Sequence, residues 1–328
     1  KMLEPSFGAV NLEDISQPNC FKVLDTLREE CDIPVWHDDA QGTASVTLAG
    51  LTNALKVVGK EMKDVRVVLM GAGAANSTIA RLILADGADP EKMVVFDTKG
   101  GLHKGRDDVK ADKAFYRKWE LCEATNPKRI NSEEEAFKGA DVVIGASQPG
   151  AIKPEWIKTM APKAIVFACA NPVPEIYPYA AKEAGAYVVA TGRGDFPNQV
   201  NNSIGFPGIL KGALLVRARK ITDEMAIAAA HAVAKYAEEK KGINPDYIMP
   251  TMQETEVFAQ EAADVAMQAI KDGVARVELT WDEVYNTTLA DVKEARAIID
   301  LLQTNEFIKA PDLKMLEDAR DKAVAAVK

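Results

Sequence analysis

Cysteine, basic charge and long apolar runs are all scarce in this 328-residue sequence. Only four cysteines occur (Cys20, Cys31, Cys122, Cys169), with no CxxC spacing, so they read as reduced, mostly buried thiols of a cytoplasmic-type protein. Lys and Arg number 40 against 49 Asp and Glu, a formal net charge of −9. That balance disfavours nucleic acid, since phosphate binding needs a basic surface. No run of 18 or more apolar residues appears, which argues against a membrane span. A signal or transit peptide pattern and an internal repeat are likewise missing. The first residue is Lys1 rather than a start methionine, the expectation being a cut piece of something longer.

What is present is ordinary globular composition, 47% hydrophobic and 27% charged, at a length sufficient for two domains or one large domain with an appended lobe. From Pro18 to Glu30, Cys20, Phe21, Val23, Leu24 and Leu27 recur at three- and four-residue steps, predicting an amphipathic helix capped by Ser16. From Gln41 to Val58 the chain is rich in Ala, Val and Leu and uncharged until Lys56, predicting a helix buried on most sides. Apolar strands are expected at Val65–Met70, Met93–Asp97, Asp141–Gly145, Ala164–Ala168 and Tyr187–Thr191, alternating with helices, Ser132 and Glu135 forming a capping box. Such alternation implies a doubly wound parallel sheet. A helix is expected at Ala111–Thr125. Beyond Thr222 the pattern is helical: Asp223–Lys240, Glu254–Lys271, Trp281–Leu302 and Pro311–Lys328, with Gly242 and Gly273 as stops.

Chemistry concentrates at three places. Gly71-x-Gly73, between a strand and a helix, is a phosphate-binding turn: the first glycine turns tightly, the second lets backbone amides approach a pyrophosphate, and the helix start supplies partial positive charge. Asn76 stands where a third glycine is usual. Asp97 ends the next strand, where an acid bonds the adenosine ribose of NAD; Lys99, Lys104 and Arg106 nearby suit a 2′-phosphate or simply a solvated loop, leaving NAD and NADP both open.

Glu13, Asp14 and Asp39 would make an oxygen-only site for Mg²⁺ or Mn²⁺, although acids before helix starts also serve as electrostatic caps. His37, beside Trp36, is expected to be a structural hydrogen-bonder. Asn171, in Asn171-Pro172-Val173-Pro174, and Asn198-Gln199-Val200-Asn201-Asn202 follow strands; their carboxamides suit a carboxylate or a nicotinamide amide, or mere turn chemistry.

Taken in order, several of these stretches resemble the malic enzyme family. Phe7-Gly8-Ala9-Val10-Asn11-Leu12-Glu13-Asp14-Ile15 and Ile33-Pro34-Val35-Trp36-His37-Asp38-Asp39-Ala40-Gln41-Gly42-Thr43-Ala44 look like its two acidic signatures. Gly71-Ala72-Gly73-Ala74-Ala75, Phe96-Asp97-Thr98-Lys99-Gly100, Ala170-Asn171-Pro172-Val173-Pro174-Glu175 and Thr191-Gly192-Arg193-Gly194-Asp195-Phe196-Pro197-Asn198 fit in sequence. So does Gln199-Val200-Asn201-Asn202, leading into Gly205-Phe206-Pro207-Gly208; residues beyond about 280 match less well.

The resemblance implies oxidative decarboxylation of L-malate to pyruvate and CO2 with reduction of NAD or NADP, by a cytoplasmic homodimer requiring Mg²⁺ or Mn²⁺. By position it implies Glu13, Asp14 and Asp39 as metal ligands, with Asp38 in the catalytic cluster. Ala72 to Ala75, with Gly71 and Gly73, would cradle the cofactor phosphates, and Asp97 would lie by the ribose. Asn171, Asn201 and Asn202 would contact cofactor and malate. A malate-to-lactate relative, or a nucleotide-binding module without catalysis, would carry nearly the same motifs. The family's general-acid tyrosine and general-base lysine lie upstream of the Phe7 signature, so the expectation is a chain that lacks them and most of the N-terminal domain. The expected organisation is a metal-binding segment at 1–60, an NAD(P)-binding Rossmann domain at 61–220 and a helical region at 221–328 packed on the sheet. The expected fold is α/β, Rossmann-like, with N-terminal helices flanking the sheet.

Overall fold

The computed structural model describes residues 1–309 and 311–327 of the chain. Strand β1 (Val10–Leu12) and strand β2 (Val35–His37) pair in parallel as a small sheet of their own, crossed over by helix α1 (Asn19–Glu30). Helix α1 buries Cys20, Phe21 and Leu24 as its apolar spacing predicts. Its start differs from expectation. Pro18 occupies the cap position and no side chain caps the helix; Ser16 contributes its carbonyl, which accepts the Cys20 N–H at 3.1 Å.

Helix α2 (Thr43–Val58) buries twelve of its sixteen residues and ends at Gly59, whose φ of 72° suits a residue without a β-carbon. Before it, Asp38–Gly42 make one wide turn of π-helical form, which sets the helix start two residues later than the apolar pattern suggested.

The main sheet has six strands: β3 (Val67–Met70), β4 (Met93–Asp97), β5 (Gly100–Gly101), β6 (Val142–Gly145), β7 (Ile165–Ala168) and β8 (Val188–Thr191). Their order is β5-β4-β3-β6-β7-β8, parallel except for the short antiparallel edge strand β5. Side chains alternate between the faces. Val67, Leu69, Val95, Ile144 and Phe167 enter one apolar core with α2, while Val68, Met70, Phe96, Val143 and Val166 enter a second with Phe137 and Ile157. Burial on both faces explains the nearly continuous apolar runs in these strands.

The connections carry α3 (Ala74–Ala85), α4 (Asp107–Ala111), α5 (Tyr116–Ala124), α6 (Glu133–Phe137), α7 (Pro154–Ile157), α8 (Pro178–Glu183) and α9 (Phe206–Leu215). The single helix expected at Ala111–Thr125 is broken. Asp112 accepts the Ala114 N–H at 3.1 Å, and this side-chain bond starts a new turn. The Ser132 cap is present, accepting the Glu135 N–H.

The remaining helices are α10 (Asp223–Lys241), α11 (Glu256–Lys271), α12 (Trp281–Thr304) and α13 (Leu313–Val327). Helix α11 begins two residues late because Glu254 accepts from the Thr251 N–H at 2.8 Å and the Tyr247 hydroxyl at 3.0 Å, serving the preceding loop. Helices α10 and α11 share the apolar core of α2, whereas α12 is buried only at Val284 and Thr288. Among the described residues no helix is long and apolar enough to cross a membrane. All four cysteines are free thiols, Cys20 and Cys122 buried and the other two partly so.

Strand β3 has β4 on one side and β6 on the other, so the winding reverses there. In open α/β sheets the crevice at the carboxyl ends of two such strands is where ligands bind.

Candidate active site

The two acid pairs meet because β1 and β2 are parallel. Leu12 is in register with His37, so Glu13-Asp14 and Asp38-Asp39 leave the same end of the small sheet. Asp14 has a φ of 58°, and its N–H donates to Asp39 Oδ2 at 2.8 Å. Glu13 Oε1 accepts from Asn11 Nδ2 at 2.6 Å.

Asp38 is buried. Its Oδ1 accepts from Trp36 Nε1 at 2.9 Å and its Oδ2 from Asn202 Nδ2 at 2.7 Å. Burial raises its carboxyl to about 7; the Glu13 and Asp39 charges add to the rise, while the two hydrogen bonds oppose it. Gly42 makes room for it, since a β-carbon there would lie 1.9 Å from Asp38 Oδ1. Asp39 differs, with 42% of its side chain exposed.

His37 does not do what its setting beside Trp36 predicts. Neither ring nitrogen has a hydrogen-bond partner; its backbone N–H goes to Gln41 Oε1 at 3.0 Å. Among the described residues, no three His, Cys, Asp or Glu side chains are gathered closely enough to hold a metal ion as they stand. The donor set nonetheless suits a hard cation: Glu13, Asp14 and Asp39 offer only oxygens, and no Lys or Arg among the described residues pairs with them.

The turn at Gly71 and Gly73 lies against this wall, with Gln17 Nε2 donating to the Ala72 carbonyl at 2.5 Å. Gly71 has a φ of 102°, and a β-carbon on it would lie 2.8 Å from the Ala146 carbonyl oxygen. Gly73 faces open space, and no side chain caps α3 above it. The first-turn amides at Ala74 and Ala75 are therefore available to an anion. Asn76 replaces the third glycine by donating to the Met70 and Gly71 carbonyls at 2.8 and 3.0 Å, tying helix to strand. Beside the turn runs a groove of about 480 Å³ between Gly71, Asp97, Ser147 and Trp156.

Asp97 lines that groove but is not free. Its carboxylate accepts from Arg106 Nη1 and Nη2, each at 3.0 Å, from Lys118 Nζ at 3.3 Å and from the Lys99 N–H at 2.9 Å. Burial raises its carboxyl, but the Arg106 hydrogen bond, the Lys99 amide and the Lys118 charge outweigh it and hold it below the usual range. Arg106 is spent in turn on Asp108 at 2.8 Å. Arg106 and Lys99 thus join Asp97 and Asp108 in one ion network after β4.

On the far side, Asn171 and Asn201 converge on the Gly192 carbonyl at 3.3 and 3.1 Å. Asn202, the next residue, reaches Asp38. Asn198 instead turns inward with a φ of 58°, bonding Val189, Pro245 and Ile248 of the backbone. Sequence reading missed Asn11, Gln17, Gly42 and Glu175 as parts of the site. Asn11, Gly42 and Glu175 each sat in a stretch that could have flagged them; Gln17 did not.

Known proteins resemble this chain over most of its length. The profile of the family described as "Malic enzyme, NAD binding domain" matches residues 40–271. The bifunctional malic/malolactic enzyme of Bacillus subtilis is 47% identical over 289 residues, covering 88% of this chain and 69% of that protein. The NADP-dependent malic enzyme of Halomonas elongata is 43% identical, covering 83% of this chain and 66% of that protein. The NAD-dependent malic enzyme of Geobacillus stearothermophilus is 45% identical, covering 84% and 56%. The chain therefore spans between about half and two thirds of the length of these relatives. The crystal structure of Entamoeba histolytica malic enzyme superposes with a TM-score of 0.98 at 63% identity, covering all of this chain and 68% of that one. With its Rossmann-type sheet, glycine turn and twin acid pairs, the chain belongs to the malic enzyme family of NAD(P)-dependent oxidoreductases.

Proposed function

We propose that this chain forms the metal- and cofactor-binding body of an enzyme that converts L-malate to pyruvate and CO2 while reducing NAD or NADP. The observation that carries the reading is the 2.7 Å hydrogen bond between Asn202 and Asp38. It joins the acid wall to the sheet crevice, so that a small hydroxy acid held at one lies beside a nicotinamide held at the other. Glu13, Asp14 and Asp39 would hold Mg²⁺ or Mn²⁺. Bound there, such an ion supplies Lewis-acid polarisation, and NAD(P) in the crevice supplies the hydride acceptor.

The chain's own residues do the rest. The Ala74 and Ala75 amides bind the pyrophosphate, and Gly71 keeps the turn tight. Asn171 and Asn201 orient carboxylate and amide groups with their paired donor and acceptor atoms. Asp38, near 7 and fixed by Trp36 and Asn202, holds or accepts a proton at Oδ2 beside the substrate. The protein would act in the cytoplasm as a homodimer, with the exposed apolar side chains Ile298 and Leu301 of α12 available to a second copy. No tyrosine or lysine of the chain is assigned to proton transfer.

Because one relative is a bifunctional malic/malolactic enzyme, lactate is a second product worth scoring. The test is the full-length protein with L-malate, Mn²⁺ and each nucleotide. Free NAD(P)H with pyruvate supports the first reading, lactate with no free NADH supports the second, and neither product overturns both.

A further inference from the structure

Glu175 closes the Asn171-Pro172-Val173-Pro174-Glu175 stretch, and nothing in the reaction above uses it. Its side chain is fully buried, and a buried carboxylate is tolerated only with good partners. Oε1 accepts the Ser147 N–H at 2.6 Å, with the Ser147 hydroxyl at 3.5 Å; Oε2 accepts the Ala170 N–H at 3.1 Å. No lysine or arginine among the described residues pairs with it. Burial raises the carboxyl and these backbone amides lower it, with burial prevailing. The two donors come from different places: Ser147 from the loop after β6, Ala170 from the loop after β7. A carboxylate suits this job because both its oxygens accept and neither donates. Glutamine would turn an N–H against one of the two amides, and an apolar side chain would leave both unbonded.

The neighbouring glycines keep the arrangement tight. A β-carbon on Gly145 would lie 2.8 Å from Glu175 Cδ and 3.1 Å from Oε1. One on Gly71 would lie 2.9 Å from Ser147 Cβ, so the phosphate turn rests on the segment that Glu175 holds. On the other side, Ala170 leads directly into Asn171, whose side-chain amide reaches the Gly192 carbonyl at 3.3 Å. Contacts therefore run from the Gly71 turn through Ser147 and Glu175 to Ala170 and Asn171. They cross the crevice behind the cofactor groove, without Glu175 reaching into it.

We infer that Glu175 is a positioning residue that sets the width of the dinucleotide crevice, clamping the loops after β6 and β7 so that the phosphate turn and the Asn171 carboxamide grip one cofactor. The inference rests on the proposed cofactor site. Its reach is limited to binding of the dinucleotide; the acid wall at Asp38 and Asp39 is held by other contacts, from Trp36, Asn202 and Asp14.

The experiment is a fluorescence titration of NADH and of NADPH on the unaltered chain and on Glu175→Gln, Glu175→Ala and Gly145→Ala. Near-ultraviolet circular dichroism of each serves as the measure of the fold. For whichever nucleotide the unaltered chain binds, Glu175→Ala weakens binding about tenfold or more, the range expected for two lost buried hydrogen bonds. Glu175→Gln, which keeps one acceptor, falls between. Gly145→Ala matches Glu175→Ala, because its new methyl drives an intact carboxylate aside. All three keep the unaltered dichroism. Binding by Glu175→Ala within twofold of the unaltered chain overturns the inference and leaves the cofactor site standing. So does a loss of binding that tracks a loss of dichroism, which would make Glu175 a residue of the fold alone. If the unaltered chain binds neither nucleotide, the cofactor site falls and the inference falls with it.

Discussion

Asp38 and Asp39 are neighbours with opposite surroundings: one is sealed behind Trp36 and Asn202, the other half open to solvent. Their proposed roles follow from that difference. A buried carboxyl near 7 suits proton exchange, while one open to solvent offers its oxygens to a cation. Asp39→Ala should therefore leave the fold intact and weaken Mn²⁺ binding, measured by calorimetry, by about a hundredfold; even residues one step removed from a metal commonly cost roughly 10- to 100-fold. Unchanged Mn²⁺ affinity would remove Asp39 from the metal set. The carboxylates were visible in the sequence as pairs, but their partners were not. Asn202 lies 164 positions from Asp38, a distance that no local spacing rule can bridge. Asp97 shows the converse. Its place at the end of a strand is readable, yet Arg106 and Lys118 occupy its oxygens from other turns of the chain, and only the fold brings them there.

At the scale of elements, the turn between β3 and α3 depends on Gly71. Its φ of 102° and its approach to the Ala146 carbonyl leave no room for a methyl group. Gly71→Ala should cost about 1–3 kcal/mol of stability, read as a lower midpoint in urea, and should abolish nucleotide binding; retained binding would show that the turn does not carry the phosphates. The junction of α3 and α10 titrates. His231 on α10, half exposed, donates from Nε2 to Asp86, the cap residue of α3, at 2.9 Å, and this hydrogen bond holds the imidazole above its ordinary value against partial desolvation. A histidine raised in the folded state adds stability that is fully present below about 6.5, its unfolded value, and is lost as pH rises through the higher folded one. Unaltered protein should thus exceed Asp86→Asn in thermal stability at pH 5.5 and lose that advantage by pH 8.5. A gap that stays constant across this range would contradict the assignment. The five parallel strands of the sheet were legible because burial on both faces writes an unbroken apolar run, whereas the two-glycine edge strand β5 carries no apolar side chain to read. Strand β1 was not, because three residues with partial burial carry no period. The pairing of β1 with β2, which assembles the acid wall, was accordingly hidden. The break at Asp112 was hidden as well, since a side-chain cap in mid-pattern competes with helix propensity and leaves the apolar spacing almost unchanged.

For the whole molecule, the chain is a sheet with a ligand crevice at its switch point and an acid wall laid against it, held together by Asp38–Asn202 and Gln17–Ala72. Beyond Thr288, α12 carries the exposed apolar side chains Ile298 and Leu301, and Phe307 is exposed in the turn after it, a larger apolar display than scattered surface residues need. Light scattering should return twice the 35.5 kDa chain mass, and Leu301→Asp should reduce it to one; a monomer from the outset would withdraw the dimer. Doubly wound topology was readable from the alternation of strands and helices, whereas the wall-to-crevice join was readable only through the family resemblance. Asn202→Ala in the full-length protein breaks that join, with malate oxidation followed by nucleotide reduction and NAD(P)H affinity followed separately. The kcat/KM for malate should fall by about a hundredfold or more, the usual scale for a misplaced acid–base group, while the nucleotide still binds. Turnover equal to that of the unaltered protein would contradict it.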